Sequence, residues 1–299
     1  VGPRDVGAGE RHELTLPRRE PLAALADLGE HAVGQVGEPV GEVELRERPG
    51  RDVGGLGRAD RRPGCARRAR GARGAVVNRE VVNLLGRWTI QVGDTHKALN
   101  AWAHYRRSKF GGTMIAVTGS AGKTTARQMI HCALRRRLVG SASPKNYNNH
   151  LGAPLSLAAV EPAHDYAVLE LGANHTGEIA DLAELVRPDV GVITCIGDAH
   201  LGEFGGVRKI AEAKAELLAS LPAGGRAVLG DDPWLRRMAR KSRAPITWVG
   251  RDAHCGVTAT DVQCGRGDLR FRVEGVDFRV MVWGRHHLVD ALIAVAVGQ

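Results

Sequence analysis

The stretch Ile115-Ala116-Val117-Thr118-Gly119-Ser120-Ala121-Gly122-Lys123-Thr124-Thr125 decides the fold: an apolar strand, a glycine turn and a helix start follow one another directly. Gly119 and Gly122 allow a backbone turn tight enough for successive N–H groups to face one anion. The positive end of the following helix points at the same spot. Lys123 adds a full charge for the outer phosphates of a nucleotide, and the Thr124 hydroxyl is placed to bind Mg2+. The spacing is G-x-x-G-K-T, shorter than the commonest phosphate loop, so the strand before and the helix after carry the reading. Gly119, Ser120, Ala121, Gly122, Lys123, Thr124 and Thr125 are the expected nucleotide-binding residues.

Strands and helices alternate outward from this loop. Met114–Val117, Tyr166–Leu171, Val190–Ile196 and Ala227–Leu229 read as strands, and Thr124–Leu138, Glu178–Val186 and Val207–Leu221 as helices. Repeated βα units predict an α/β fold with a mostly parallel, doubly wound sheet. Val257–Val262, Leu269–Val273 and Val276–Val282 alternate like a small antiparallel β meander, with turns at Arg266-Gly267-Asp268 and Glu274-Gly275. A last apolar helix, Leu288–Val297, runs almost to Gln299, where a doubly wound domain would not normally stop, so truncation is expected. Upstream, Gly74–Asn78 and Trp88–Val92 read as short strands. Thr95–Phe110 reads as a helix whose apolar stripe is Ala98, Leu99, Ala101, Trp102 and Tyr105.

The chain of 299 residues is uneven. Residues 1–75 hold 14 Arg and 14 Gly but no Lys, Ile, Met, Phe, Tyr, Trp, Ser or Asn, so they lack the side chains that build cores. Three readings stand: a disordered Arg/Gly arm for nucleic acid, a weakly folded domain, or an out-of-frame translation, which the abrupt change of composition favours. The expected organisation is an aberrant region at 1–73, a domain remnant with a linker helix at 74–111, and a nucleotide-binding domain at 112–299. The net charge of +9 is spread along the chain, which argues against a nucleic-acid partner. No apolar run approaches the roughly 18 residues of a membrane span. Five cysteines without a C-x-x-C pair fit reduced thiols in a cytoplasm.

Three further residues fall near the carboxyl edge of the sheet, where such folds bind ligands. Glu170 ends an otherwise apolar strand, so a buried cation is its natural partner, a neighbouring arginine being the alternative. His200 follows the next strand. Lys214 lies on the apolar stripe of its helix with Val207, Ile210, Ala211, Leu218 and Leu221. Burial lowers a lysine's pKa, and the neutral amine can take up CO2 to give an anionic carbamate able to hold a divalent metal.

These residues resemble the ATP-dependent Mur ligases of peptidoglycan synthesis, over about residues 74–299. The loop at Thr118–Thr125 is similar to the family's ATP loop. Lys145-Asn146-Tyr147-Asn148-Asn149-His150-Leu151-Gly152-Ala153-Pro154-Leu155 and Glu170-Leu171-Gly172-Ala173-Asn174 resemble segments of its MurF-type branch, which joins D-alanyl-D-alanine to UDP-N-acetylmuramoyl-tripeptide. Gly197–His200, Lys214 and Gly284-Arg285-His286 follow in the family's order. The resemblance implies two Mg2+ ions, one on Thr124 and Glu170, the other on His200 and carbamylated Lys214. It also implies Lys123, Lys214 and His200 in catalysis, with Asn146, Asn148 and Asn149 on the acceptor side and Asp231, Arg285 and His286 near ATP. The sequence departs from the family at Ala121, Cys195, His287 and Asp290, each where Asn is common. Another Mur-type amino acid ligase, or a non-catalytic nucleotide-binding module, remains an alternative. The family's C-terminal domain has no counterpart before Gln299, so little turnover is expected of this chain alone.

Overall fold

A computed structural model describes residues 74–78, 88–198 and 201–299. In chain order the elements are β1 (Gly74–Val77), β2 (Trp88–Gln91), α1 (Thr95–Lys109), β3 (Thr113–Thr118), α2 (Lys123–Leu134), β4 (Gly140–Ala142), α3 (Gly152–Ala158) and β5 (Tyr166–Glu170). Then come α4 (Glu178–Val186), β6 (Val190–Ile193), α5 (Leu201–Phe204), α6 (Val207–Lys214), α7 (Glu216–Ser220), β7 (Arg226–Gly230), α8 (Pro233–Met238), β8 (Ile246–Gly250) and β9 (Val257–Thr258). The last are β10 (Thr260–Cys264), β11 (Leu269–Val273), β12 (Val276–Val280) and α9 (His287–Gly298). The expected aberrant region at 1–73 lies outside the described residues.

Seven strands form one sheet in the order β4-β5-β3-β6-β7-β8-β9, with every pairing parallel. Its inner strands β3, β5, β6 and β7 are buried on both faces and alternate their side chains between two cores. Met114, Ala116, Ala167, Leu169, Ile193, Ala227 and Leu229 point into one core with residues of α3, α4, α6, α7 and α8. Ile115, Val117, Val168, Val192 and Val228 point into the other, with α2, α9 and the meander. This is the doubly wound arrangement that the βα alternation predicts. The chain starts at β3 in the middle, fills β4 and β5 on one side, then crosses to β6 on the other. Strand order therefore reverses around β3, and the crevice beyond its carboxyl end lies between β5 and β6.

Several expectations need correction. The helix expected over 207–221 breaks at Ala215, which closes α6 and opens α7, while the apolar spacing continues through the break. The strand expected at 257–262 belongs to two sheets. Val257–Thr258 joins β8 in the large sheet, and after Ala259 the chain passes through a bulge with Asp261 at φ 52 to pair β10 with β11. β6 stops at Ile193 rather than Ile196, because its next groups turn toward the phosphate loop. α2 stops at Leu134, where Arg135 closes it, instead of reaching Leu138. β4, α3, α8 and β8 were not expected as elements.

α1 also seats differently from its expected stripe. Trp102 is 54% and Tyr105 58% exposed, whereas Ala103 is buried. The helix is held by arginines: Arg106 donates to the Val160 carbonyl at 2.6 Å, and Arg107 donates to the Val186 and Arg187 carbonyls, each at 2.7 Å. Those last two acceptors end α4, where unpaired carbonyls favour a cation. Among the described residues no helix is long and apolar enough to cross a membrane, and Cys132, Cys195, Cys255 and Cys264 are free thiols.

Candidate active site

The loop after β3 is shaped by contacts that exclude side chains at its glycines. Gly119 has φ 148, and a Cβ there would run into the Thr194 hydroxyl. Gly122 has φ 79, and a Cβ there would strike the Asp290 carboxylate. Gly122 is the N-cap of α2 and makes no side-chain cap hydrogen bond, so the amides of the first turn keep their donors for an outside group. Ser120 N–H donates to the Cys195 carbonyl at 2.9 Å and its hydroxyl donates to the Gly197 carbonyl at 3.2 Å, tying the loop to the segment after β6. The Thr194 hydroxyl donates to the Ala121 carbonyl. Lys123 Nζ donates to the Gly119 carbonyl at 2.8 Å. Burial, partly offset by Glu170, lowers the pKa of its ammonium.

Glu170, at the end of β5, is 1% exposed. One carboxylate oxygen, Oε2, accepts from the Thr124 hydroxyl at 2.9 Å, and Oε1 accepts from the Asn148 side-chain amide at 2.8 Å. Arg127, one turn along α2 from Thr124, brings its Nε to 3.6 Å from Oε2. Both sequence readings of Glu170 thus meet at one carboxylate: the arginine is there, and so is the hydroxyl expected to share a cation. Thr124 and Glu170 are brought together as the motif implies. Arg127 and Ser143, which sequence reasoning missed, close the surroundings. Arg127 donates to the Ser143 carbonyl, and the Ser143 hydroxyl accepts from the Glu170 N–H at 3.1 Å. An arginine on the buried face of an amphipathic helix was the signal that could have found this contact.

Lys214 closes α6 and is 3% exposed, with its ammonium 5.9 Å from the Phe204 ring centroid. Burial, reinforced by the charge of Lys123, pushes its pKa down to about 8. The expectation that Lys214 is buried is met, and its pKa moves in the direction that favours the neutral amine. His200, its expected partner, lies outside the described residues.

The remaining candidates are spread out. Asn149 is exposed, and its side-chain oxygen accepts from Leu151 N–H at 3.1 Å and Gly152 N–H at 2.8 Å, fixing the turn into α3. Asn146 is exposed. Asp231 sits at the end of β7 in a separate group: Arg236 donates to it at 2.6 Å, His254 lies at 3.1 Å, and the Cys255 thiol lies at 3.7 Å. Those residues have metal-ligand chemistry, but the Arg236 guanidinium already neutralises the carboxylate. Arg285 and His286 are exposed before α9, and His286 lies against His287 with ring centroids 4.0 Å apart. Asp290, one turn into α9 and one of the departures from the family pattern, abuts the phosphate loop at Gly122. Burial, opposed by a 3.2 Å contact to His287 Nδ1, raises its pKa to about 6.

Comparison with known proteins gives the family. The Mur ligase middle domain profile matches residues 117–298. The chain belongs to the Mur ligase family. A UDP-N-acetylmuramoyl-tripeptide--D-alanyl-D-alanine ligase of Bacillus subtilis is 34% identical over 212 residues, which cover 70% of this chain and 46% of that protein. A crystal structure of MurF from Acinetobacter baumannii superposes with a TM-score of 0.68 at 33% identity, covering 76% of this chain and 51% of that one. MurF from Thermotoga maritima, solved in complex with ADP, superposes with a TM-score of 0.65 at 27% identity, over 77% and 54%. This Mur ligase chain thus spans about half the length of the relatives it matches.

Proposed function

We propose that this chain carries the nucleotide-binding and phosphoryl-transfer centre of an ATP-dependent amide-bond ligase of peptidoglycan precursor synthesis, acting in the cytoplasm. The substrates would be UDP-N-acetylmuramoyl-tripeptide and D-alanyl-D-alanine. The observation that carries the reading is the pairing of an uncapped helix end with a hydroxyl–carboxylate couple one residue beyond Lys123: a cradle for an anion beside a seat for a cation.

The residues fit both groups. Gly119 and Gly122 hold the loop in a conformation that a side chain at either position would break, and Glu170 is a buried carboxylate with one oxygen facing the Thr124 hydroxyl. Bound Mg2+ would neutralise charge between nucleotide and acceptor carboxylate, two anions that otherwise repel. Thr124 and Glu170 would hold one ion, His200 and carbamylated Lys214 a second. Lys123 would leave the Gly119 carbonyl to meet the migrating phosphoryl group. The acceptor's terminal carboxylate is converted to an acyl phosphate, and the amine of the dipeptide then displaces phosphate through a tetrahedral intermediate. Asn146, Asn149, Asp231, Arg285 and His286 are assigned to the substrate and nucleotide margins on family resemblance.

Calorimetry with ADP and Mg2+ tests the centre: binding by the wild-type chain, lost in Lys123→Ala, is expected, and no binding by the wild type would overturn it. Phosphate release that requires both the muramoyl tripeptide and the dipeptide tests the substrate assignment.

A further inference from the structure

Asn148 belongs to the segment that family resemblance places on the acceptor side, yet its side chain is spent elsewhere. Its Nδ2 donates to Glu170 Oε1 at 2.8 Å, and its backbone carbonyl accepts from Gly172 N–H at 2.7 Å. The residue is therefore fastened to the end of β5 at two points, one on each side of Leu171. Arg127 faces the other carboxylate oxygen and is 6% exposed. Its guanidinium reaches the Ser143 carbonyl, while its buried Nε has no hydrogen-bond partner. Glu170 is thus gripped from the loop side by a neutral amide and from the helix side by a cation. Thr124 shares Oε2 with that cation.

We propose that Asn148 is a positioning residue for the cation site: by fixing Oε1 of Glu170 it aims Oε2 at the Thr124 hydroxyl, and it makes order in the 145–150 segment depend on that site. This rests on the reading of Glu170 as a divalent-cation ligand. A carboxylate with both oxygens free would rotate between Arg127 and Thr124, and closing fully on the arginine would take it away from a cation. The amide of Asn148 prevents the rotation without adding charge. Partners of this kind, which orient a ligand and do not touch the metal, commonly change metal affinity by about 10- to 100-fold when removed. On this assignment Asn148 contributes to cation affinity, and a role in gripping the acceptor would leave that affinity untouched.

The test uses the full chain and Mn2+ with ADP, followed by electron paramagnetic resonance, alongside ADP binding in EDTA. Asn148→Leu keeps the volume and removes the donor. The expected result is an Mn2+ dissociation constant raised about tenfold in the ADP complex, with ADP binding in EDTA unchanged. A merely structural role would weaken both equally, which would overturn the proposal. Glu170→Gln separates the two layers of the argument. If it loses Mn2+ binding while Asn148→Leu keeps wild-type affinity, the positioning role fails and the cation site stands. If Glu170→Gln binds Mn2+ as well as wild type does, the cation reading itself falls and the proposal with it. Should Asn148→Leu fail to fold, Asn148→Ser, too short to reach Oε1, is measured in its place under the same criteria.

Discussion

Two helices enter the same edge of the sheet, α2 after β3 and α8 after β7, and they finish their N-termini in opposite ways. α8 is capped by Asp232, whose Oδ1 accepts from Trp234 N–H at 2.7 Å and Leu235 N–H at 3.2 Å, with Pro233 in the first turn, where no donor is needed. α2 begins at a left-handed glycine without any side-chain cap. One terminus has used its donors internally and is a structural end. The other keeps them and pays in local stability for a place where an anion can sit. The contrast separates two βα turns on one sheet edge: the turn after β7 has used its donors on Asp232, and the turn after β3 keeps them beside Lys123 and Thr124.

The comparison breaks most visibly at Gly122. Gly122→Ala combines a left-handed φ with a collision against Asp290, so the loop must shift and its N–H groups turn away from a common anion. A drop in ADP affinity of about 100-fold is expected by calorimetry. Lys214→Met, compared with the uncarbamylated wild type, tests the buried lysine of the same edge. The folded-state pKa of Lys214 is about 8 against a usual 10.5, so between those values the unfolded chain holds a proton that the folded chain has released, and wild-type stability rises with pH. Lys214→Met is expected to be more stable than wild type by on the order of 3 kcal/mol below pH 8, with the gap closing toward pH 10.5 in urea titrations.

Asp290→Asn probes the acid pressed against α2. The folded-state pKa of Asp290 is about 6 against a usual 3.8, so its penalty is full above pH 6 and vanishes below about pH 4. The variant should gain about 2 kcal/mol at pH 7.5 and nothing at pH 3.5. The smallest effect belongs to the capped end. Asp232→Ala should cost about 1 kcal/mol in thermal or urea unfolding and leave ADP affinity unchanged. A loss of ADP binding there would erase the distinction between the two termini.

The centre of the fold was legible because its signals are local. A strand, two glycines and Lys123-Thr124 lie within one window, and the alternation of βα units needs only apolar spacing. Glu170 and Lys214 stood out because charge on an apolar stripe is costly. What could not be read is what depends on distant partners. Arg127 meets Glu170 across 43 positions of sequence, and Thr194 reaches Ala121 across 73, so nothing near either residue announces the contact. Ala215 breaks a helix whose apolar spacing runs on undisturbed, and periodicity has no means of registering that. α3 was hidden because Gly152-Ala153-Pro154 looks like a turn, although proline is well tolerated where a helix begins. Asp231 was placed near the nucleotide by family resemblance, and nothing near it in sequence announced that Arg236 and His254 would share its carboxylate.

Asp232 has a second oxygen. While Oδ1 caps α8, Oδ2 accepts from Ile196 N–H at 3.2 Å, on the stretch that leads from β6 toward His200. A surface helix and the start of the neighbouring crossover are therefore joined through one carboxylate, so Asp232→Ala removes a tether between two elements as well as a helix cap.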